Sequence, residues 1–242
     1  MVLRMLVRQK IVILLLLIIP AFFLTVVEFT SSDRTLPFQL ASLDEEVFIS
    51  LSEKGISFIF FAVATTGFLV SFLALNLIQK NSTANRRLIL CGFHPIELLI
   101  SMLLALFMVI ALIAVYVGLL TNAFYSIDNL GKFILSLLLI GFVYSGYGLV
   151  VGSLVKGELE GVLMIVLLVN IDVGWLQNPL FYAEAQHQFI IKFLPAYYPS
   201  QTAIITAVTD YSPMNAIENG ILYGLVFLVL SMLLFFIKMR IK

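Results

Sequence analysis

The sequence predicts an all-α membrane protein of six transmembrane helices. A short cytoplasmic helix is expected between spans two and three, and re-entrant outer helices between spans five and six. Three observations carry this reading. Hydrophobic residues make up 62% of the chain and charged residues 12%, against about 45–50% and about 25% in a soluble domain. Apolar runs long enough to cross a bilayer alternate with short polar stretches. The charges also sort by segment, although the formal net charge is zero. Arg4, Arg8, Lys80, Arg86, Arg87, Lys156 and Lys238 fall in one set of connections, and Glu28, Asp44, Glu53, Asp128, Glu184 and Glu218 in the other. Short loops rich in Lys and Arg stay inside. Both termini are therefore expected in the cytoplasm, with residues 1–242 forming a single transmembrane domain. The expected location is the inner or plasma membrane of a prokaryotic cell.

The first span, about 11–27, follows Arg4, Arg8 and Lys10. It resembles a signal peptide, but its length, Pro20 and the lack of a small-x-small cleavage site favour an uncleaved span. Residues 28–54 read as an acidic outer loop, and 55–78 as the second span. The polar island 79–95 returns the chain to the third span, 96–120. Within it, Ser82 to Cys91 lacks Pro and Gly and suits a short helix along the membrane. Gly92 can end that helix, Pro95 suits the first turn of the next, and His94 before the proline is biased toward extended backbone.

Residues 121–132 form an outer turn before the fourth span, 133–154, which carries Gly141, Ser145, Gly148 and Gly152. The Gly148-x-x-x-Gly152 pair allows close helix packing, either within the chain or between subunits. The fifth run, 161–176, is short. Asn170 lies about 14 Å along it from Gly161, near the middle of a core about 30 Å thick, and Asp172 follows on the outer half. Polar groups at that depth mark a substrate or ion route, or else cap a helix that ends early. Residues 177–219, with Pro179, Pro195, Pro199 and Pro213, read as short helices dipping into the outer leaflet, with Trp175 and the tyrosines at the interface. The sixth span is 220–237, anchored by Lys238, Arg240 and Lys242.

Chemistry-bearing motifs are scarce. There is no phosphate-binding Gly-x-x-x-x-Gly-Lys-Ser/Thr loop, no His-Glu-x-x-His and no Gly-x-Ser-x-Gly. His94 and His187 fall on opposite sides of the membrane, so no metal is expected between them. The lone Cys91 forms no internal disulfide or thiolate cluster and reads as a small apolar filler. Basic residues are scattered among short loops, which argues against nucleic-acid binding. A non-enzymatic transporter fits best, powered by an ion gradient or by a separate motor subunit; a membrane scaffold is the non-transport alternative. Secondary transporters commonly repeat a broken helix in each half. The short polar fifth run has no clear mate, which favours the motor.

Several features occur in a telling order: the basic N-terminus, Asn85-Arg86-Arg87-Leu88 through Gly92-Phe93, the glycine-rich fourth span with Lys156, Asn170 through Pro179, and Leu194-Pro195. That order resembles the membrane permease subunits of type-2 ABC exporters (the ABC-2 type transporter permease family) over essentially the whole chain. The resemblance implies a partner ATP-binding cassette subunit that holds ATP and Mg, a second permease (a copy or a homologue), and no cofactor in this chain. It implies coupling through Arg86, Arg87, Gly92, Phe93, His94 and Glu97. It also implies a substrate path at Phe68, Ser71, Asn170 and Asp172 and an outer gate at Trp175, Pro195 and Tyr198. The residues alone leave other roles open: Phe68 as packing, and Arg86 and Arg87 as lipid-headgroup or topology anchors. An apolar route favours hydrophobic or amphipathic cargo such as a peptide, lipid or drug.

Overall fold

The structure, a computed structural model, describes residues 10–40, 48–80, 87–155, 157–178, 181–182 and 187–240. Helix α1 spans Lys10–Thr30 with Pro20 inside it. The hydroxyls of Thr25 and Thr30 donate to the carbonyls of Ala21 and Val26 at 2.7 and 2.8 Å, which satisfies them within an apolar helix. The chain then folds into a two-stranded antiparallel hairpin, β1 (Thr35–Gln39) and β2 (Phe48–Ser52), with Thr35 opposite Ser52. The stretch read as an acidic outer loop thus holds a short hairpin within a largely helical chain. The Glu53 N–H donates to the Arg34 carbonyl at 2.7 Å, and Lys54 Nζ meets Glu28 Oε1 at 2.6 Å. These contacts bind the end of α1 and the hairpin to the start of the next helix.

Helices α2 (Glu53–Lys80), α3 (Pro95–Phe124) and α4 (Leu130–Leu154) follow. Helix α5 (Glu158–Ile171) continues into a π-helical turn, Asp172–Leu176. Two short helices, α6 (Gln188–Lys192) and α7 (Tyr197–Val208), precede α8 (Met214–Arg240). Among the described residues, five helices are long and apolar enough to cross a membrane: 53–80, 96–124, 130–154, 158–176 and 214–237. Helix α1 adds the shorter apolar stretch Leu14–Thr30. The chain is a multi-pass membrane protein of largely helical structure. Several helices outrun the apolar runs that reveal them. Thus α3 reaches Phe124, and α8 begins at Met214, where Asn219 bonds back to the Asn215 carbonyl at 2.9 Å.

Helices α2 and α4 form the centre and bury most of their side chains. Helices α1, α3, α5 and α8 surround them and turn large apolar side chains outward, among them Leu17, Leu104, Leu163 and Leu233. In a membrane that surface faces hydrocarbon. Helix α7 is too short to span, yet nearly all of it is buried. It begins beside Asp172, which accepts from the Ala196 N–H at 3.2 Å, and ends at the α3–α4 turn, where the Asp128 N–H donates to the Ala207 carbonyl at 3.3 Å.

The central pair depends on the absence of side chains. A methyl at Gly148 would collide with the Ser71 carbonyl of α2, and one at Gly152 would lie 3.3 Å from the Leu75 carbonyl. On another side of α4, a methyl at Gly146 would lie 2.8 Å from Phe227 Cβ of α8. Gly148→Ala is expected to destabilise the protein by about 1–3 kcal/mol, because backbone rather than a pliable side chain must give way. Gly131→Ala, in the first turn of α4 with nothing within 4 Å, is expected to be neutral or slightly stabilising. Thermal unfolding in detergent, followed by size-exclusion retention, distinguishes them; equal midpoints would show that the α2–α4 approach is not limiting.

Candidate functional site

A cavity of about 370 Å³ lies between α1, α2 and α5. Its α2 wall consists of two adjacent rows at four-residue spacing: Glu53, Ser57, Phe61, Thr65, and Ile56, Phe60, Ala64, Phe68. Residues four apart stack on one face of a helix, so the eight form one continuous surface. The α5 wall, Val166, Val169, Asn170, Val173 and Gly174, follows the same helical logic. Ile19 and Phe23 of α1 close the third side. Phe23 stacks on Phe61 with ring centres 5.8 Å apart, and Phe60 meets Phe61 edge-on at 5.3 Å.

The lining is mostly apolar, with a few placed polar groups. The Thr65 hydroxyl donates to the Phe61 carbonyl at 2.7 Å. Asn170 donates through Nδ2 to the Val166 carbonyl at 2.7 Å, and its Oδ1 lies over Gly174, 3.2 Å from where a Cβ would be. Glu53 and Ser57 stand at the end nearest the hairpin.

Of the four residues implied as a substrate path, Phe68 and Asn170 line this groove and Ser71 and Asp172 lie behind it. The Ser71 hydroxyl donates to the Phe68 carbonyl at 2.9 Å, and its backbone faces Gly148. Asp172 is buried and accepts three hydrogen bonds. The Tyr144 hydroxyl of α4 donates to Oδ2, Gln177 Nε2 to Oδ1 at 3.4 Å, and the Ala196 N–H to Oδ2 at 3.2 Å. One carboxylate therefore joins α4, the tip of α5 and the start of α7. A buried carboxylate needs such donors, because desolvation opposes its charge.

The implied gate residues lie around this junction. Trp175 is exposed and meets Phe181 edge-on at 5.5 Å. Pro195 is next to the Asp172-bonded Ala196. Tyr198 sits among Tyr197 and Tyr223, with ring centres 5.0 and 5.9 Å away, and the Tyr223 hydroxyl donates to the Phe193 carbonyl at 3.0 Å.

At the opposite end, Arg86 lies outside the described residues, and residues 87–90 form a helical turn. Gly92, at φ +95°, closes it: the Phe93 N–H donates to Leu88 O at 3.1 Å and the Gly92 N–H to Ile89 O at 3.0 Å. This is the Schellman pattern, in which a left-handed glycine satisfies the last carbonyls. His94 is extended and its Nδ1 accepts from the Ile96 N–H at 3.3 Å, with Pro95 opening α3 and Glu97 in its first turn. The turn presents Arg87, Leu90 (80% exposed) and Phe93 (51% exposed) on its surface. Gln79 Nε2 donates to the carbonyls of Val155 and Gly157, each at 3.3 Å, tying the foot of α2 to the α4–α5 connection.

Two residues of this arrangement, Glu53 and Tyr144, do not stand out in the sequence. Glu53 reads as one of several outer acids, and Tyr144 as an aromatic in a glycine-rich span.

Asp172→Leu is expected to leave the Tyr144 hydroxyl, the Gln177 amide and the Ala196 N–H without their acceptor, each loss costing about 1–3 kcal/mol. Hydrogen exchange should rise across 188–208 and the unfolding midpoint should fall. Asp172→Asn, which keeps an acceptor, should be milder. Addition of Tyr144→Phe to Asp172→Leu should cost less than the sum of the two changes; strict additivity would refute the junction.

No family model matches the chain, and no curated protein matches it in sequence.

Proposed function

We propose that this chain is the membrane permease subunit of an ATP-driven exporter of the type-2 ABC class. It moves hydrophobic or amphipathic cargo out of the cell, with energy from a separate ATP-binding subunit that holds ATP and Mg. In this reading α1 is the first of six spans, both termini are cytoplasmic, and two permeases, identical or homologous, form the pathway. The observation that carries it is the exposed 87–94 turn. It is closed by Gly92 and seated on α3 by His94 and Pro95, with Leu90 and Phe93 uncovered beside Arg87. A stiff, basic and apolar knob between two spans suits docking to a soluble motor.

The link from turn to pathway runs through the foot of α2. Gln79 binds the α4–α5 connection, so a displacement of the α2 foot is shared with α5. Those two helices form two walls of the groove. Phe68 and Asn170 then face cargo, Asp172 holds the outer junction, and Trp175, Pro195 and Tyr198 surround the exit. A buried carboxylate favours a second reading, an ion-driven carrier, in which Asp172 exchanges its partners for the ion.

Gentle affinity purification from the native membrane should bring down a stoichiometric subunit with a phosphate-binding loop. In the reconstituted complex, Arg86→Glu with Arg87→Glu should leave ATP hydrolysis in place and lower transport about tenfold, equivalent to about 1.4 kcal/mol of coupling. Transport that ignores vanadate and collapses with the ion gradient would replace this reading with the ion-driven carrier.

A further inference from the structure

We infer that the groove between α1, α2 and α5 is selective for lipophilic cations, with the positive head at Glu53 and an aromatic or alkyl body along the phenylalanine wall. As a statement about cargo this rests on the export reading; as a statement about binding it stands on the groove alone.

The groove has charge at one end only. Glu53 is its sole charged lining residue among those described, and no Lys, Arg or His joins it. Its neighbour Lys54 is committed to Glu28 at 2.6 Å, and among the described residues no cation pairs with Glu53. The other polar groups, Ser57, Thr65, Asn170 and Asn178, are neutral and can donate as well as accept. A site whose one charge is a carboxylate favours a cation and repels an anion.

Below Glu53 the lining is mostly apolar and aromatic, with Ser57, Thr65 and Asn170 set into it. Phe23, Phe60, Phe61 and Phe68 contribute phenyl rings, which attract a cation more strongly once water is excluded. Glu53 and Phe68 lie fifteen positions apart on α2, about 22 Å at helical rise. The volume of about 370 Å³ suits a small organic molecule. A hydrophilic cation gains nothing from that wall, and a neutral lipophile gains nothing from Glu53. An acid in the first turn of a helix also complements the helix dipole. The dipole accounts for an acid at this turn but not for its placement in one row with Ser57, Phe61 and Thr65 on the groove wall.

The test uses the full chain, with any subunits that accompany it, in phosphatidylcholine nanodiscs. The probes are labelled tetraphenylphosphonium and tetraphenylborate, which share a shape and differ in charge; binding to empty discs is subtracted. The cation should bind and the anion should not. Glu53→Gln should weaken the cation about tenfold, and Phe61→Ala, in the same row and about 12 Å from Glu53 along α2, should weaken it as well. Glu53→Lys should reverse the preference toward tetraphenylborate, a gain that misfolding cannot produce. Equal binding of both ions, unchanged affinity in Glu53→Gln, or no protein-dependent binding would overturn the inference. Those results leave the export reading standing with another cargo. Cation binding by a chain that brings down no motor subunit from its native membrane would keep the site, and the absent subunit would sink the export reading.

Discussion

The close approach of α2 and α4 is the constraint from which the remaining architecture follows. In a bilayer, apolar side chains gain nothing by leaving lipid for one another, so helices associate through short van der Waals contacts and a few polar bonds. Gly148 and Gly152 supply the first by letting α4 rest on the backbone of α2 at Ser71 and Leu75. Gly146 does the same for α8 on another side of α4. With its C-terminal half packed on α4 in this way, α2 leaves its N-terminal half, Glu53 to Phe68, as the wall of an open groove.

Polar bonds supply the second kind of adhesive, at the ends of helices where packing is thin. Helix α5 turns most of its apolar surface outward and holds to the core along one narrow face. Its tip is secured by Asp172 through Tyr144 and Ala196, and its start by Gln79 through Val155 and Gly157. Each bond joins segments that sequence order keeps apart, and the Asp172 carboxylate has a donor on each of its oxygens. The result is a helix held firmly at both ends and lightly along its length.

Much of this was legible in the chain itself. Apolar runs and charge segregation reveal the membrane spans, and the Gly92–Pro95 stretch signals its bend because a left-handed glycine and a first-turn proline leave few alternatives. Other features were not legible. Hydropathy locates where a helix meets water rather than where it ends, so the first turns of α8, with Asn215 and Glu218, read as part of the re-entrant segment 177–219 and not of the sixth span. The hairpin was hidden because each strand has five residues and β1 contains Pro37. The pairing of Asp172 with Tyr144 spans 28 positions and arises only when α4 and α5 pack. Asp172 therefore announced itself as an unusual residue without announcing its partner. Glu53 was masked by the acids around it.

The π-helical turn leaves Trp175 on the surface of the α5 tip, one residue beyond the groove-lining Gly174 and three before Asn178. It is the chain's single tryptophan. Among the described residues its ring meets Phe181. Tryptophan emission, excited selectively over the tyrosines, is consequently a local signal, sensitive to polarity and contact at one corner of the molecule. Emission shifts from unlabelled protein, in detergent or lipid, read out events at that corner, and unfolding that begins elsewhere passes unseen until it arrives there.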